Sequence, residues 1–421
     1  MKLFAVALFL TTYILMIVLP KRRPWIALGS AAIFLISGIL PVSALAGAID
    51  WNVLMMLAGT MGTVALFIES RMPNRMAEVL LEKSPNVMWV VVIMSLFAGV
   101  VSAFVDNVAT VLMIAPVALA ISKKLGISPV GMIISIAVSS NLQGAATLVG
   151  DTTSIMLGGY ADMDFLDFFF LEGKPSIFWA VELGALATVP VILLLFRKQR
   201  QCFSVEGTTL VSDYVPSFLL LGTVVLLILA SFWRDRPAVT NGLICMGVFL
   251  VGLIYTLLRR RDLEPVKAAF GEIDFETLLL LAGLFLVIAG ITEAGVIDDI
   301  SRIFLDLGGS NVFVIYSVIV WGSVLFSAFV DNIPYVATML PVVAKIAQGL
   351  GCDPRLLFFG LLTGATLGGN LTPIGASANI AGIGILRKAG YEVRSRDFFR
   401  IGVPFTLCAV TVGYLRSEEH T

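Results

Sequence analysis

Mostly apolar runs of 17 residues or more recur from one end of this chain to the other, beginning with Leu3–Leu19. A helix needs about 20 apolar residues to cross the hydrocarbon of a bilayer, and a soluble domain has no use for a series of such runs. Of the 421 residues, 58% are hydrophobic and only 14% charged, against about 25% charged in an ordinary soluble domain. The chain therefore reads as an all-α polytopic membrane protein, because a helix satisfies its own backbone in lipid. The first run is read as an uncleaved span. No small-residue cleavage site follows it, and "PKRRP" comes next.

The runs fall into two series. The first comprises 3–19, 25–45, 51–69, an interrupted 87–122, an interrupted 128–160 and 175–197, with a polar connector at 70–86. The second comprises 214–233, 237–258, 275–293, an interrupted 311–348, an interrupted 353–388 and 398–416. If 87–122 and 311–348 are re-entrant hairpins, ten spans cross alternately. One face then collects most of the 28 lysines and arginines, Lys21, Arg22 and Arg23 among them. The positive-inside rule makes that face cytoplasmic and puts both termini outside, in a cell (inner) membrane.

The two series are copies. "SAFVDNVATVLMIAP" (102–116) and "SAFVDNIPYVATMLP" (327–341) are offset by 225 residues and agree at eight of fifteen positions. The same shift carries Gly144, Thr147, Gly150 and Ile155 onto Gly369, Thr372, Gly375 and Ile380. Upstream the offset is 224, and Asp50, Gly59 and Glu69 fall on Asp274, Gly283 and Glu293. Each copy has five crossings and one hairpin, so the second must lie upside down. Inverted repeats with broken helices are the build of secondary transporters. The division expected is 1–200 and 201–421. Scaffold segments lie at 1–86 and 214–293, and hairpin and broken-helix segments at 87–197 and 311–416.

Four breaks interrupt the apolar runs: Asp106-Asn107, "TLVGDTTS" (147–154), Asp331-Asn332 and "LTPIGASAN" (371–379). Each is followed by a helical stretch and so offers helix N-termini and unwound carbonyls at membrane depth. Asp106, Asp151, Asp331 and Ser377 stand where N-caps belong. A cap stabilises by about 1 kcal/mol, whereas an aspartate at mid-span costs about 2.5–3.5 kcal/mol. Asn or Ser would cap without that cost, so capping alone does not explain the carboxylates. Substrate or ion binding is expected at Asp106, Asn107, Thr147, Gly150, Asp151, Thr152, Asp331, Asn332, Asn370, Thr372, Gly375, Ser377 and Asn379, with a sodium ion at Asp106, Asp151 or Asp331. Asp151 has no acidic mirror image, since Ala376 stands opposite it. Asp50 and Asp274 read as interfacial caps, and Glu69 and Glu293 as solvated span ends. No Lys or Arg is near any break in the sequence, so a fully anionic substrate is expected to meet acids and no cation.

Other chemistry is absent. The four cysteines (Cys202, Cys245, Cys352, Cys408) are isolated and the single histidine is His420, which leaves no metal or disulfide spacing. There is no "GxxxxGK[S/T]" phosphate loop and no loop long enough for a nucleotide domain. The net charge of −1 and scattered basic clusters give no nucleic-acid surface.

"SAFVDNIPYVATMLP" with "GATLGGNLTPIGASANIAGIGILRKAGY", and "SAFVDNVATVLMIAPVALAIS" with "NLQGAATLVGD", strongly resemble the arsenite permease/NhaD antiporter group of the ion transporter superfamily. The second half looks closest to the branch containing the melanosomal P protein. The resemblance implies a scaffold of outer helices and a transport unit of hairpins and broken helices. It also implies elevator motion and a homodimer through the scaffold, as in related divalent-anion/sodium symporters. Those symporters carry Ser-Asn-Thr at the hairpin tips, where this chain has Asp106-Asn107-Val108 and Asp331-Asn332-Ile333. The group usually shows a proline pair and Asn after the first Gly-Asp, where this chain has Thr152-Thr153-Ser154.

The expected function is secondary active transport of arsenite or a small anion, coupled to protons or sodium, with no cofactor beyond the coupling ion. Sodium/proton antiport is the alternative. A passive channel and an intramembrane aspartyl protease, which also needs two buried acids sharing a proton, are the lesser ones.

Overall fold

The computed structural model describes residues 1–82, 84–201, 209–233, 235–260, 263–309 and 311–418. Lys83, Cys202, Arg261 and His420 lie outside them. The chain is helical almost throughout. The first series gives α1 (Lys2–Val18), α2 (Arg23–Ile36), the short α3 (Leu45–Ala48), α4 (Trp51–Glu69) and α5 (Met72–Leu81). It continues with α6 (Val87–Ser102), α7 (Asn107–Leu125), α8 (Val130–Gly144), α9 (Thr152–Tyr160) and α10 (Ile177–Phe196). The second gives α11 (Val215–Ser231), α12 (Thr240–Arg260), α13 (Glu264–Gly271), α14 (Phe275–Glu293) and α15 (Val296–Gly308). Then come α16 (Val312–Ser327), α17 (Asn332–Leu350), α18 (Pro354–Gly368), α19 (Ser377–Lys388) and α20 (Ser395–Glu418).

Among the described residues, seven helical stretches are long and apolar enough to cross a membrane, or eight if α1 and α2 count as one bent span. The expected second span, 25–45, ends early. α2 stops at Ile36, Gly38 turns the chain at φ +72°, and the remainder becomes turns and α3. The chain bends by 117° between α1 and α2. One departure from pure helix is a two-residue antiparallel pair, Phe170–Leu171 with Lys174–Pro175. Leu3, Leu194, Phe218, Ile254 and Leu258 are exposed, on faces that lipid rather than water would cover.

The two series use the same local devices at matched positions. Asn86 caps α6 through Trp89 N, and Asn311 caps α16 through Phe313 N and Val314 N. Asp50 caps α4 and Asp274 caps α14, as expected. α7 and α17 both end on a left-handed glycine, Gly126 (φ +64°) and Gly351 (φ +65°), a position that costs any other residue backbone energy.

α6 and α7 form a hairpin, as do α16 and α17. The start of α6 bonds the backbone of Gln199 and Gln201, just past α10, whose Phe196 lies on Gly131 at the start of α8. The end of α6 meets the end of α8, where Ser102 lies against Gly144. α6 therefore runs parallel to α8, while α7, joined to α8 by a short turn, runs against it. In the second series Gly360, Gly364 and Gly368 of α18 face Tyr316, Val320 and Val324 of α16 in the same order, so α16 and α17 are again antiparallel. Each aspartate of the repeated motif sits at the tip of its hairpin.

Candidate functional site

Both tips reach one cavity of about 660 Å³, lined by Asp106, Asn107, Asp151, Thr152, Asn332 and Ser377 among others. The N-terminal ends of α7, α9, α17 and α19 thus converge on a single space. The far wall is α4 (Met61, Val64, Ala65, Ile68, Glu69) with Glu272, Asp274 and Thr277. Among the described residues, five carboxylates line the cavity and no Lys or Arg does so.

The two tip aspartates are held differently. Among the described residues, Asp106 accepts only from the backbone N–H groups of Val108 (2.9 Å) and Ala109 (3.2 Å), which is a cap. Asp331 accepts from Ile333 N (3.2 Å), from Ser377 Oγ (3.3 Å) and from Arg23 Nη1 (2.7 Å). This overturns the expectation that no cation is near a break. Arg23 is remote in sequence, but the tight turn between α1 and α2 swings it onto the second tip, and its Nε donates to Met16 O. Tyr13 joins the same contact, donating to Pro334 O (2.6 Å) and meeting Thr338 Oγ1.

Asp151 occupies the N-cap position of α9 but makes no side-chain cap bond. Its carboxylate accepts from Thr153 Oγ1 (2.6 Å) and Asn107 Nδ2 (3.3 Å), and it is buried. Ser377 was expected at an N-cap, but the cap position belongs to Ala376. Ser377 is the first helical residue, and its hydroxyl serves Asp331 instead.

Other expected residues have structural duties. Thr147 Oγ1 donates to Ala103 O, and its counterpart Thr372 Oγ1 to Ala328 O, so each pins a hairpin tip to the neighbouring break. A Cβ on Gly150 would sit 2.6–2.8 Å from the carbonyls of Gly144, Ser102 and Ala103. One on Gly375 would meet those of Gly369, Ala328 and Ser327 at 2.6–2.9 Å. Three carbonyl oxygens crowd each glycine, which is why nothing larger fits. Asn379 donates to Gly369 O and Thr372 O, while its buried Oδ1 has no partner among the described residues. Asn370 donates to Val138 O.

Of the residues joining the two halves, Asn107 and Asn370 were expected at the site, while Asn141, Thr153 and Thr366 were not. Asn141 accepts from Asn107 Nδ2 (3.0 Å) and donates to Thr366 O (2.6 Å) and Asn370 Oδ1 (3.1 Å). Thr153, already donating to Asp151, accepts from Thr366 Oγ1 at 3.2 Å. The signal was an asparagine inside the apolar run "ISIAVSSNLQG"; its partner Thr366 carries none.

A second crevice of about 650 Å³ mirrors the first. Phe285, Ile288, Ala289 and Thr292 of α14 line it, 224 positions after Met61, Val64, Ala65 and Ile68 of α4, and Asp50 stands where Asp274 stands in the first. No hairpin tip reaches it. Its inner wall is the body of α17 (Ala337, Leu340, Pro341) and the end of α9 (Gly158, Gly159, Tyr160).

The sequence profile of CitMHS, the citrate transporter family, matches residues 13–364. An uncharacterised transporter of Mycobacterium bovis is 29% identical over 98% of this chain and 97% of its own length. The human P protein is 26% identical over 87% of this chain, which spans about half (53%) of that protein. In fold the chain resembles the YdaH transporter of Alcanivorax borkumensis, with a TM-score of 0.60 and 13% identity over 89% of this chain and 86% of that one. It also resembles MtrF of Neisseria gonorrhoeae, described as illuminating a class of antimetabolite efflux pumps, with a TM-score of 0.56 and 14% identity over 89% of this chain and 82% of that one.

Proposed function

Because this chain belongs to the citrate transporter family, we propose that it is a secondary active transporter carrying a small carboxylate-class anion through the cavity between the hairpin tips, coupled to protons or sodium. Its family and relatives are transporters rather than enzymes. The observation that carries the reading is the convergence of four helix N-termini on one cavity. α7 and α17 are capped by Asp106 and Asp331, whereas α9 and α19 carry no side-chain cap; each of these two presents N–H groups and about half a positive charge, a natural seat for an anion. The five carboxylates around the same space require compensating cations, which gives the substrate a reason to travel with protons or sodium.

The mirrored crevices support an elevator. The fixed part is 1–86 with 214–293, and the moving part comprises the hairpins and broken helices of 87–197 and 311–416. In the present state the tips face the crevice beside Glu272 and Asp274, on the positive-rich side. Sliding the moving part would present them to the crevice beside Asp50, where α14 repeats the wall that α4 provides now.

Sodium/proton antiport is the second reading, favoured by the all-acidic lining. Neutral arsenous acid is a third cargo that such a lining admits. Purified protein in liposomes separates them. Citrate uptake that follows an imposed proton or sodium gradient supports the anion reading. Sodium flux driven by a pH gradient with no anion requirement supports antiport, and gradient-driven arsenite flux alone overturns both.

A further inference from the structure

The two halves of the site are alike in their acids and unlike in their cations. Asp331 has a guanidinium at 2.7 Å, and Asp106 has only backbone donors. The difference traces to one position. Ala27 and Leu28 of α2 lie on Gly283 of α14 as Cys245 and Met246 of α12 lie on Gly59 of α4, and the two glycines are repeat partners. Stepping back four residues from Ala27 gives Arg23, and from Cys245 gives Asn241. Asn241 is neutral, accepts from Arg236 Nη1, and lines the second crevice. Arg236, which also lines the second crevice, is paired with Asp164, so among the described residues no arginine reaches the first tip in this state and a cation there comes from solution.

Arg23 and Asp331 also belong to different parts of the molecule as the proposed function divides it. Arg23 opens α2, in the part taken as fixed, and Asp331 is on a hairpin tip, in the part taken to move. Their side chains are 21% and 7% exposed. If the hairpin slides to the other crevice, Asp331 leaves Arg23 behind. A carboxylate at membrane depth that loses its partner acquires a proton or another cation, because an unpaired charge there is costly. The Tyr13 contact with Pro334 and Thr338 would part in the same movement.

We propose that Arg23 is the resident counter-cation of the second half-site, filling in this state the place that a proton or sodium ion takes at Asp331 when the tip turns to the opposite crevice. The inference rests on the elevator reading. It makes cation binding asymmetric: the first half takes its cation from solution, and the second alternates between a built-in guanidinium and a mobile ion. Arg23 is a positioning residue that biases the equilibrium between the two states.

The test uses Val108→Cys in a chain whose own cysteines are replaced, labelled by a membrane-impermeant thiol reagent from either face of sealed vesicles. Val108 lines the present cavity, and so does its counterpart Ile333 on the other tip, so pseudo-symmetry puts Val108 in the opposite crevice after the slide. Labelling from one face only, whatever the ionic conditions, refutes the elevator reading. Labelling from both faces upholds it and leaves the ratio of the two rates to judge Arg23. Arg23→Gln should shift that ratio away from the positive-rich face by about five-fold or more, the usual size of a coupling between linked sites. Arg23→Lys should retain most of the wild-type ratio. Sodium or acid should move the wild-type ratio in the same direction as Arg23→Gln does, by neutralising Asp331 in the opposite crevice, and should move the Arg23→Gln ratio less. In an Asp331→Asn background, Arg23→Gln should add nothing. An unchanged ratio, a wild-type ratio that neither sodium nor acid moves, or an equal shift in the Asp331→Asn background overturns the proposal. The last would mean that Arg23 acts by holding the α1–α2 turn through Met16 O. If Arg23→Gln fails to reach the membrane, Asp331→Asn alone must shift the ratio in the same direction, and a ratio it leaves unchanged overturns the proposal as well.

Discussion

Asp151 sits at the head of α9, where an aspartate ordinarily accepts from the helix's own N–H groups, yet its oxygens turn to Thr153 and Asn107. A side chain that makes no cap bond is not explained by capping, which agrees with the ion-binding role proposed for it. Asp151→Ser should hold or raise thermal stability, since serine restores a cap worth about 1 kcal/mol and a buried charge is removed. Transport by that variant should lose its dependence on pH or sodium. An unchanged ion-dependence profile would take Asp151 out of the site. The carboxylates were legible in the sequence because an aspartate inside an apolar run is expensive wherever the fold puts it. Arg23 was not, because within "PKRRP" it looks like any solvated basic cluster, and only the turn at residues 19–23 decides that it faces inward. Ser377 was misplaced by one residue, since "GASAN" offers two adjacent small residues and backbone geometry chooses between them.

Each break is built as a hairpin tip locked to an unwound strap, and the lock is made of backbone. Thr147 and Thr372 fasten the straps to the tips, and Gly150 and Gly375 let three carbonyl oxygens close in. Gly150→Ala and Gly375→Ala should each destabilise the protein by about 1–3 kcal/mol, as overpacking does, with a lower thermal midpoint and impaired transport. Gly384, in α19 with open space around its Cα, is the control. Gly384→Ala should be neutral or slightly stabilising, because alanine is the better helix former. Equal losses at all three positions would mean that the carbonyl clusters have no special role. The helices themselves were readable, since their apolar runs and caps repeat at a fixed offset. The end of α2 was not, because Gly38 interrupts a run that stays apolar beyond it, and hydropathy cannot see a left-handed turn. The network of Asn141, Asn370 and Thr366 was hidden for a related reason. It joins residues more than 200 positions apart, and only the folded arrangement of the two halves brings them together.

At the scale of the whole molecule, two copies of one unit enclose one cavity and leave a matching crevice whose wall repeats it at an offset of 224. A chain with a single stable state would have no use for the second wall, whereas a transporter needs both. Under the proposed function, the cations that accompany an anion into a space lined by five carboxylates are the coupling, and Asp106 and Asp151 are the groups proposed to hold them. Gradient-driven accumulation in proteoliposomes tests this most directly, with Asp106→Asn and Asp151→Asn assayed beside the wild type. The account predicts that the wild type concentrates the anion above its external level while an inward proton or sodium gradient lasts. It also predicts that each variant, though folded, at best brings the two sides to equality. Accumulation by both variants to the wild-type level, or wild-type flux that ignores every gradient, would contradict it.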